Sequence, residues 1–169
     1  CVDYGDYLDV NGDIVGGLSL TGVLKANLTL QANMTYEVLG YVEVPPEFTL
    51  TIPSGVELIF VSSQEMRIEG GLFVTGTQLN PVIFTSGQTT PSKDDWGGVV
   101  VSDNGSLLME YALIQYGGIL FSSGGRGNVY NSVVEYATTG LDFYNSDNVS
   151  VNNNLFRFNT TGIKIKGSS

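Results

Sequence analysis

The chain has 169 residues, 42% hydrophobic and only 14% charged, so it is long enough for one domain with a continuous core and too apolar for a disordered segment. Seventeen acidic residues stand against seven basic ones, giving a formal charge of −10, and there is no histidine. That excess repels a phosphate backbone, which disfavours nucleic acid as a partner, and it suits solubility, divalent cations or a salty exterior.

Cys1 is the only cysteine, so no internal disulfide forms. It reads in three ways: the lipid-bearing first residue of a bacterial lipoprotein, a partner in an intermolecular disulfide, or the point where a longer chain was cut. Residues 1–40 are less regular than the rest. They combine an acidic start with the alternating Leu28-Thr29-Leu30, and are expected to form a cap or first segment before one continuous domain over 41–169. Within that start, Asp9, Asn11 and Asp13 have the alternate oxygen spacing of a calcium loop. The pattern then fails, with Ile14 in place of glycine and Leu20 in place of the bidentate glutamate, so calcium is a candidate cofactor beside an ordinary Asx-rich turn.

From Tyr41 to Phe60, alternating apolar residues are broken by Pro45, Pro46, Pro53 and Gly55. Prolines cannot donate to a ladder and belong at corners between short strands. Glu65 to Thr85 adds two strand segments, Met66–Ile68 and Pro81–Thr85, and Ser86 to Asp95 is a polar insertion before regular coils begin at Trp96.

The last third repeats. Gly118-Ile119-Leu120-Phe121, Gly140-Leu141-Asp142-Phe143 and Gly162-Ile163-Lys164-Ile165 recur every 22 residues. Helical repeats and propeller blades need longer units, roughly 33 residues or more. Apolar alternation inside each block indicates short strands separated by bends, so each block is one coil of a solenoid. The fold expected is all-β, a right-handed parallel β-helix with coils of about 22 residues. Equivalent positions on stacked coils lie about 4.8 Å apart. Asn131 and Asn153 are therefore expected to form an inward amide ladder, Tyr136-Phe158 and Phe121-Phe143 to stack in the core, and Glu135 and Arg157 to pair on the surface.

Five sequons, at Asn27, Asn33, Asn104, Asn148 and Asn159, tilt the location towards the extracellular side or cell surface, where glycans could be carried. No apolar run reaches the roughly 18 residues of a transmembrane segment.

The succession Val44-Pro-Pro-Glu-Phe-Thr-Leu-Thr-Ile-Pro-Ser-Gly-Val56, Asn80-Pro-Val-Ile-Phe-Thr85, Trp96-Gly-Gly-Val-Val-Val101 and Leu113-Ile-Gln-Tyr-Gly-Gly118 resembles the parallel β-helix repeats of exported microbial surface proteins. The fold also hosts polysaccharide lyases and hydrolases. Resemblance to the polygalacturonase-type hydrolases would imply Asn-Thr-Asp, Asp-Asp, Gly-His and Arg-Ile-Lys elements. Only Asp94-Asp95 and, loosely, Ile163–Lys166 are similar, and without histidine the Gly-His element is impossible. A pectate-type lyase would need calcium-binding carboxylates beside an arginine or lysine base.

The function expected from sequence is a non-enzymatic extracellular structural module of a surface or filament-like assembly, with no catalytic residues. It would self-associate into a homo-oligomer or polymer through coil ends at Gly162, Ile163 and Ile165. The alternatives are a carbohydrate-binding or carbohydrate-cleaving β-helix protein and a surface lipoprotein adhesin anchored through Cys1.

Overall fold

The computed structural model describes residues 18–61, 63–146 and 148–167. Cys1 and the calcium candidates Asp9, Asn11 and Asp13 lie outside the described residues. Those described form eighteen strands and no helix, wound as a right-handed parallel β-solenoid of about seven turns.

Three faces build each turn. Face one holds the start of β3 (Thr35–Val44), then β5 (Glu57–Phe60), β8 (Val82–Ser86), β11 (Ala112–Gln115), β14 (Val133–Glu135) and β17 (Leu155–Arg157). Face two holds the end of β3, then β6 (Met66–Ile68), β9 (Val99–Val101), β12 (Ile119–Ser122), β15 (Thr139–Tyr144) and β18 (Thr161–Lys166). Face three stacks β2 (Leu28–Thr29), β4 (Thr49–Pro53), β7 (Gly71–Thr75), β10 (Ser106–Glu110), β13 (Arg126–Tyr130) and β16 (Val149–Asn152). β7 was not among the expected strands, although Leu72 and Val74 are buried and Phe73 and Thr75 exposed in the alternation that marks one.

The 22-residue offset holds where β12, β15 and β18 stack, Ile119 opposite Leu141 and Leu141 opposite Ile163. Earlier coils are stretched by excursions: Glu57 faces Ile83 across the loop at 76–81, and Met66 faces Val99 across the loop at 87–96. The solenoid also starts earlier than a cap over 1–40 would suggest. β1 (Ser19–Val23) already pairs in parallel with β3, and Leu28 pairs with Leu50.

Inward positions are apolar and fully buried through the middle coils. Trp96 lies between strands but points inside, its ring 3.8 Å from that of Phe60 and 6.3 Å from that of Phe84, centroid to centroid. Its indole N–H donates to the Gln115 carbonyl at 2.8 Å, so the buried polar atom is satisfied. Gly117 has to be glycine here, because a Cβ would lie 2.5 Å from the Trp96 ring.

Corners need left-handed backbone, and the sequence supplies it in two ways. Asn131 and Asn153, with φ of 51° and 55°, turn the chain between faces three and one. They therefore do not point inward as a ladder, because the left-handed bend carries each side chain away from the core. The amides that do this work are one residue and six residues on from Asn153. Asn154 accepts from the Ser132 N–H at 2.8 Å and donates to the Val129 carbonyl, and Asn159 accepts from the Ala137 N–H at 2.9 Å and donates to the Val134 carbonyl. At the next corner the left-handed residues are Tyr116, Tyr136 and Phe158, an unusual conformation for bulky side chains. Their rings stack at 5.3 and 5.1 Å. The column runs from Tyr116, half-buried against the core, out to Phe158, 58% exposed, whereas Phe121-Phe143 is the inward stack, 5.8 Å between centroids.

Candidate functional site

Alternation along β11, β14 and β17 sends every second side chain outward, so face one presents two outer columns. One is apolar: Ile83, Leu113, Val133 and Leu155 lie in register, and Leu155 is 48% exposed. The second is polar and bonded coil to coil. Thr85 Oγ1 donates to Gln115 Oε1 at 3.1 Å, Gln115 Nε2 donates to Glu135 Oε1 at 2.8 Å, and Arg157 Nε donates to Glu135 Oε2. The Glu135–Arg157 pair is thus more than the surface salt bridge that register alone suggests. The Glu135 side chain is only 5% exposed and the Arg157 side chain 47%, so a covered carboxylate holds a guanidinium at the surface. The guanidinium carbon also lies 5.5 Å from the centre of the Phe158 ring.

Between the apolar column and the left-handed corner runs a groove of about 440 Å³. Leu113 and Val133 form its floor, and Tyr111, Asn131, Asn153 and Arg157 its sides. The loop at 76–81 closes one end with Thr77, Gln78 and Pro81, and carries Leu79 at its tip, 91% exposed.

Two other polar clusters lie on face two. On face two, Arg67 donates from Nε and Nη2 to Glu65 Oε1 at 3.0 and 2.6 Å, which lifts a guanidinium already charged at neutral pH further above its ordinary range. Beside it the Tyr41 hydroxyl donates to Glu43 Oε2 at 2.7 Å, and burial followed by that bond pushes the phenol up to about 12. At the far end of face two, Lys164 Nζ pairs with Asp142 Oδ2 at 2.9 Å. Arg126 makes no ion pair among the described residues, and the groove it lines on face three, with Phe73, Leu108 and Asn128, has no described carboxylate. No three described carboxylate or cysteine side chains gather where they could hold a metal ion.

The insertion before Trp96 is ordered against the solenoid. Asp95 accepts from the Ser92 N–H and hydroxyl and from Ser86 Oγ, bonds that outweigh its burial and lower its carboxyl below the ordinary value. Asp94 accepts from the Thr138 N–H, and Lys93 Nζ bonds Thr160 Oγ1, so this loop fastens later coils.

Of the sequon asparagines, Asn27, Asn33, Asn104 and Asn148 are exposed, and the last three occupy left-handed turns. Asn27 Oδ1 accepts from the Thr49 N–H, and Asn159 has both amide atoms committed beneath its own coil. Ile163 and Ile165 are 45% and 77% exposed on the last described coil, beside a half-buried Gly162. Sequence reasoning missed the groove because its floor residues alternate as surface positions. The signal was there: Leu113, Val133 and Leu155 are apolar at outward positions in three successive coils.

The fold and its outer grooves define the class, a parallel β-helix with open lateral surfaces. Residues 22–110 match the family model described as the pectate-lyase-like beta helix domain, and the chain belongs to that family. No curated protein and no solved structure matches it. The groove side chains from Tyr111 onward follow the matched segment.

Proposed function

We propose that the protein is an exported carbohydrate-binding β-helix module that holds a glycan along face one and does not cleave it. The observation that carries the reading is the groove lining, a floor of Leu113 and Val133 flanked by the Asn131 and Asn153 amides and the Tyr111 ring. A sugar presents an apolar C–H face and a rim of hydroxyls. An apolar floor with a few fixed polar groups suits both. The extracellular location is supported by the acidic composition and four exposed sequon asparagines.

Binding without cleavage is supported by the state of the cations. An eliminating enzyme needs a base able to accept a proton near working pH. The cation that lines the face-one groove, Arg157, is instead tied to Glu135. The test is calorimetric titration of a panel of oligosaccharides, with Val133→Glu as the floor variant. Binding in the wild type that falls at least tenfold in the variant supports the reading, whereas accumulation of unsaturated sugar products would overturn the non-catalytic part.

A second reading, end-to-end association of two copies, is favoured by one observation. Ile165 stacks on Phe143 in an inward column yet is 77% exposed. Light scattering that gives the monomer mass at high concentration would reject it.

A further inference from the structure

We infer that the face-one groove selects uncharged saccharides, and that Glu135 is the positioning residue that enforces this by neutralising Arg157. The inference rests on the carbohydrate reading above. Among the described residues Arg157 is the one cationic side chain lining the groove, and on its own it would attract a sugar carboxylate, because a guanidinium matches a carboxylate in shape and charge. Here the Nε is already bound by Glu135. A second carboxylate arriving at the remaining amino groups would come within a few ångströms of the first, inside a chain of net charge −10.

The position of Glu135 makes this neutralisation hard to undo. Both carboxylate oxygens have donors, Gln115 Nε2 on one and Arg157 Nε on the other, and the side chain is 5% exposed, so the carboxylate is fixed in place while solvent reaches the pair from the Arg157 side. Arg157 is also held against the Phe158 ring, which limits its swing towards a competing anion. What remains for the ligand is a set of uncharged donors and acceptors, the Asn131 and Asn153 amides and the Gln78 and Thr77 side chains, with the outer N–H groups of the charge-balanced guanidinium as further donors to hydroxyl oxygens. Hydroxyl-rich, uncharged chains satisfy them without bringing in a new charge.

The experiment titrates wild type and Glu135→Gln with uncharged hexasaccharides of glucan, xylan and mannan type and with hexagalacturonate, each at low and high salt. The wild type is expected to bind at least one uncharged chain with little salt dependence, and hexagalacturonate at least tenfold more weakly. Glu135→Gln is expected to gain at least tenfold for hexagalacturonate, with the gain lost at high salt. Wild type that prefers hexagalacturonate overturns the selectivity while leaving carbohydrate binding intact, and wild type that binds none of the chains overturns both. A folded Glu135→Gln protein with no gain removes Glu135 from the explanation. The wild-type comparison requires no variant, so the inference remains refutable where Glu135→Gln does not fold.

Discussion

The coils from β5 to β9 and those from β13 to β18 are built on the same plan, yet they differ in what holds them. In the first group Leu58, Phe60, Met66, Ile68, Phe84 and Trp96 are all at or below 2% exposure, and three aromatic rings fill the interior. In the second Val129, Val134 and Leu141 are likewise at 0% exposure, but on the last described coil the inward Val151 and Phe156 are half-buried, Ile163 and Ile165 are exposed, and side-chain amides bridge the corners. The repeat is as regular on that thinly covered coil as on the buried ones before it. Regular spacing reports that coils stack in register, whereas stability depends on how much apolar area each coil covers.

Replacing Trp96 is the most direct way to break the strong half. Trp96→Ala empties the space beside Phe60 and Phe84 and removes the indole donor to the Gln115 carbonyl, at a cost of about 3–5 kcal/mol. Urea unfolding should show it as a large fall in midpoint. A loss below about 1 kcal/mol would mean that the aromatic stack is not what consolidates the middle coils.

On the last described coil the amides should matter more than the apolar contacts. Asn154→Ala leaves the N–H of buried Ser132 and the Val129 carbonyl unpaired, which costs about 1–3 kcal/mol. Asn153→Ala, one residue away, loses only the asparagine preference for a left-handed turn, about 1 kcal/mol. Equal losses measured by chemical denaturation would erase the distinction between corner and ladder.

These two asparagines also mark the limit of what the sequence made legible. Period, strand alternation and parallel stacking could be read directly, because they follow from identities at a fixed offset. Which of three consecutive asparagines, 152 to 154, faces the neighbouring coil depends on where the backbone turns left-handed, and all three carry the same side chain. The Tyr136-Phe158 column was placed in the core for a related reason. Aromatic identity suggests burial, but a corner residue with positive φ is thrown outward. The groove emerged only with the fold, since it needs the loop at 76–81 brought beside β11 and β14, and the sequence does not reveal that approach.

A smaller effect separates the polar cluster near the start of face two from the stacked tyrosines. Tyr41 is raised to about 12 by burial and then by its bond to Glu43. A tyrosine whose folded value lies above its ordinary 10.0 favours folding below pH 10, and that contribution disappears as pH rises through about 12. The phenol is only partly buried and solvent screens its bond to Glu43, so the stability change is slight. Ultraviolet titration should show one phenol ionising late, removed in Tyr41→Phe. A late phenol that persists in that variant would assign the shift elsewhere.

The smallest expected effect is the most informative about the last coil. Phe121, Phe143 and Ile165 occupy one inward column on successive turns, with Phe121 at 0% exposure and Ile165 at 77%. Area removed from water decides the cost of truncation. Phe121→Ala should lose about 3–5 kcal/mol, and Ile165→Ala less than about 0.5 kcal/mol in the 169-residue chain. The two substitutions share a column and a direction, so the ratio of their costs measures coverage alone. If Ile165→Ala costs several times more than this, and the excess grows with protein concentration, a second copy covers the coil. An excess independent of concentration would instead require cover from within the same chain, and a cost near zero at all concentrations means that nothing covers the coil under the conditions measured.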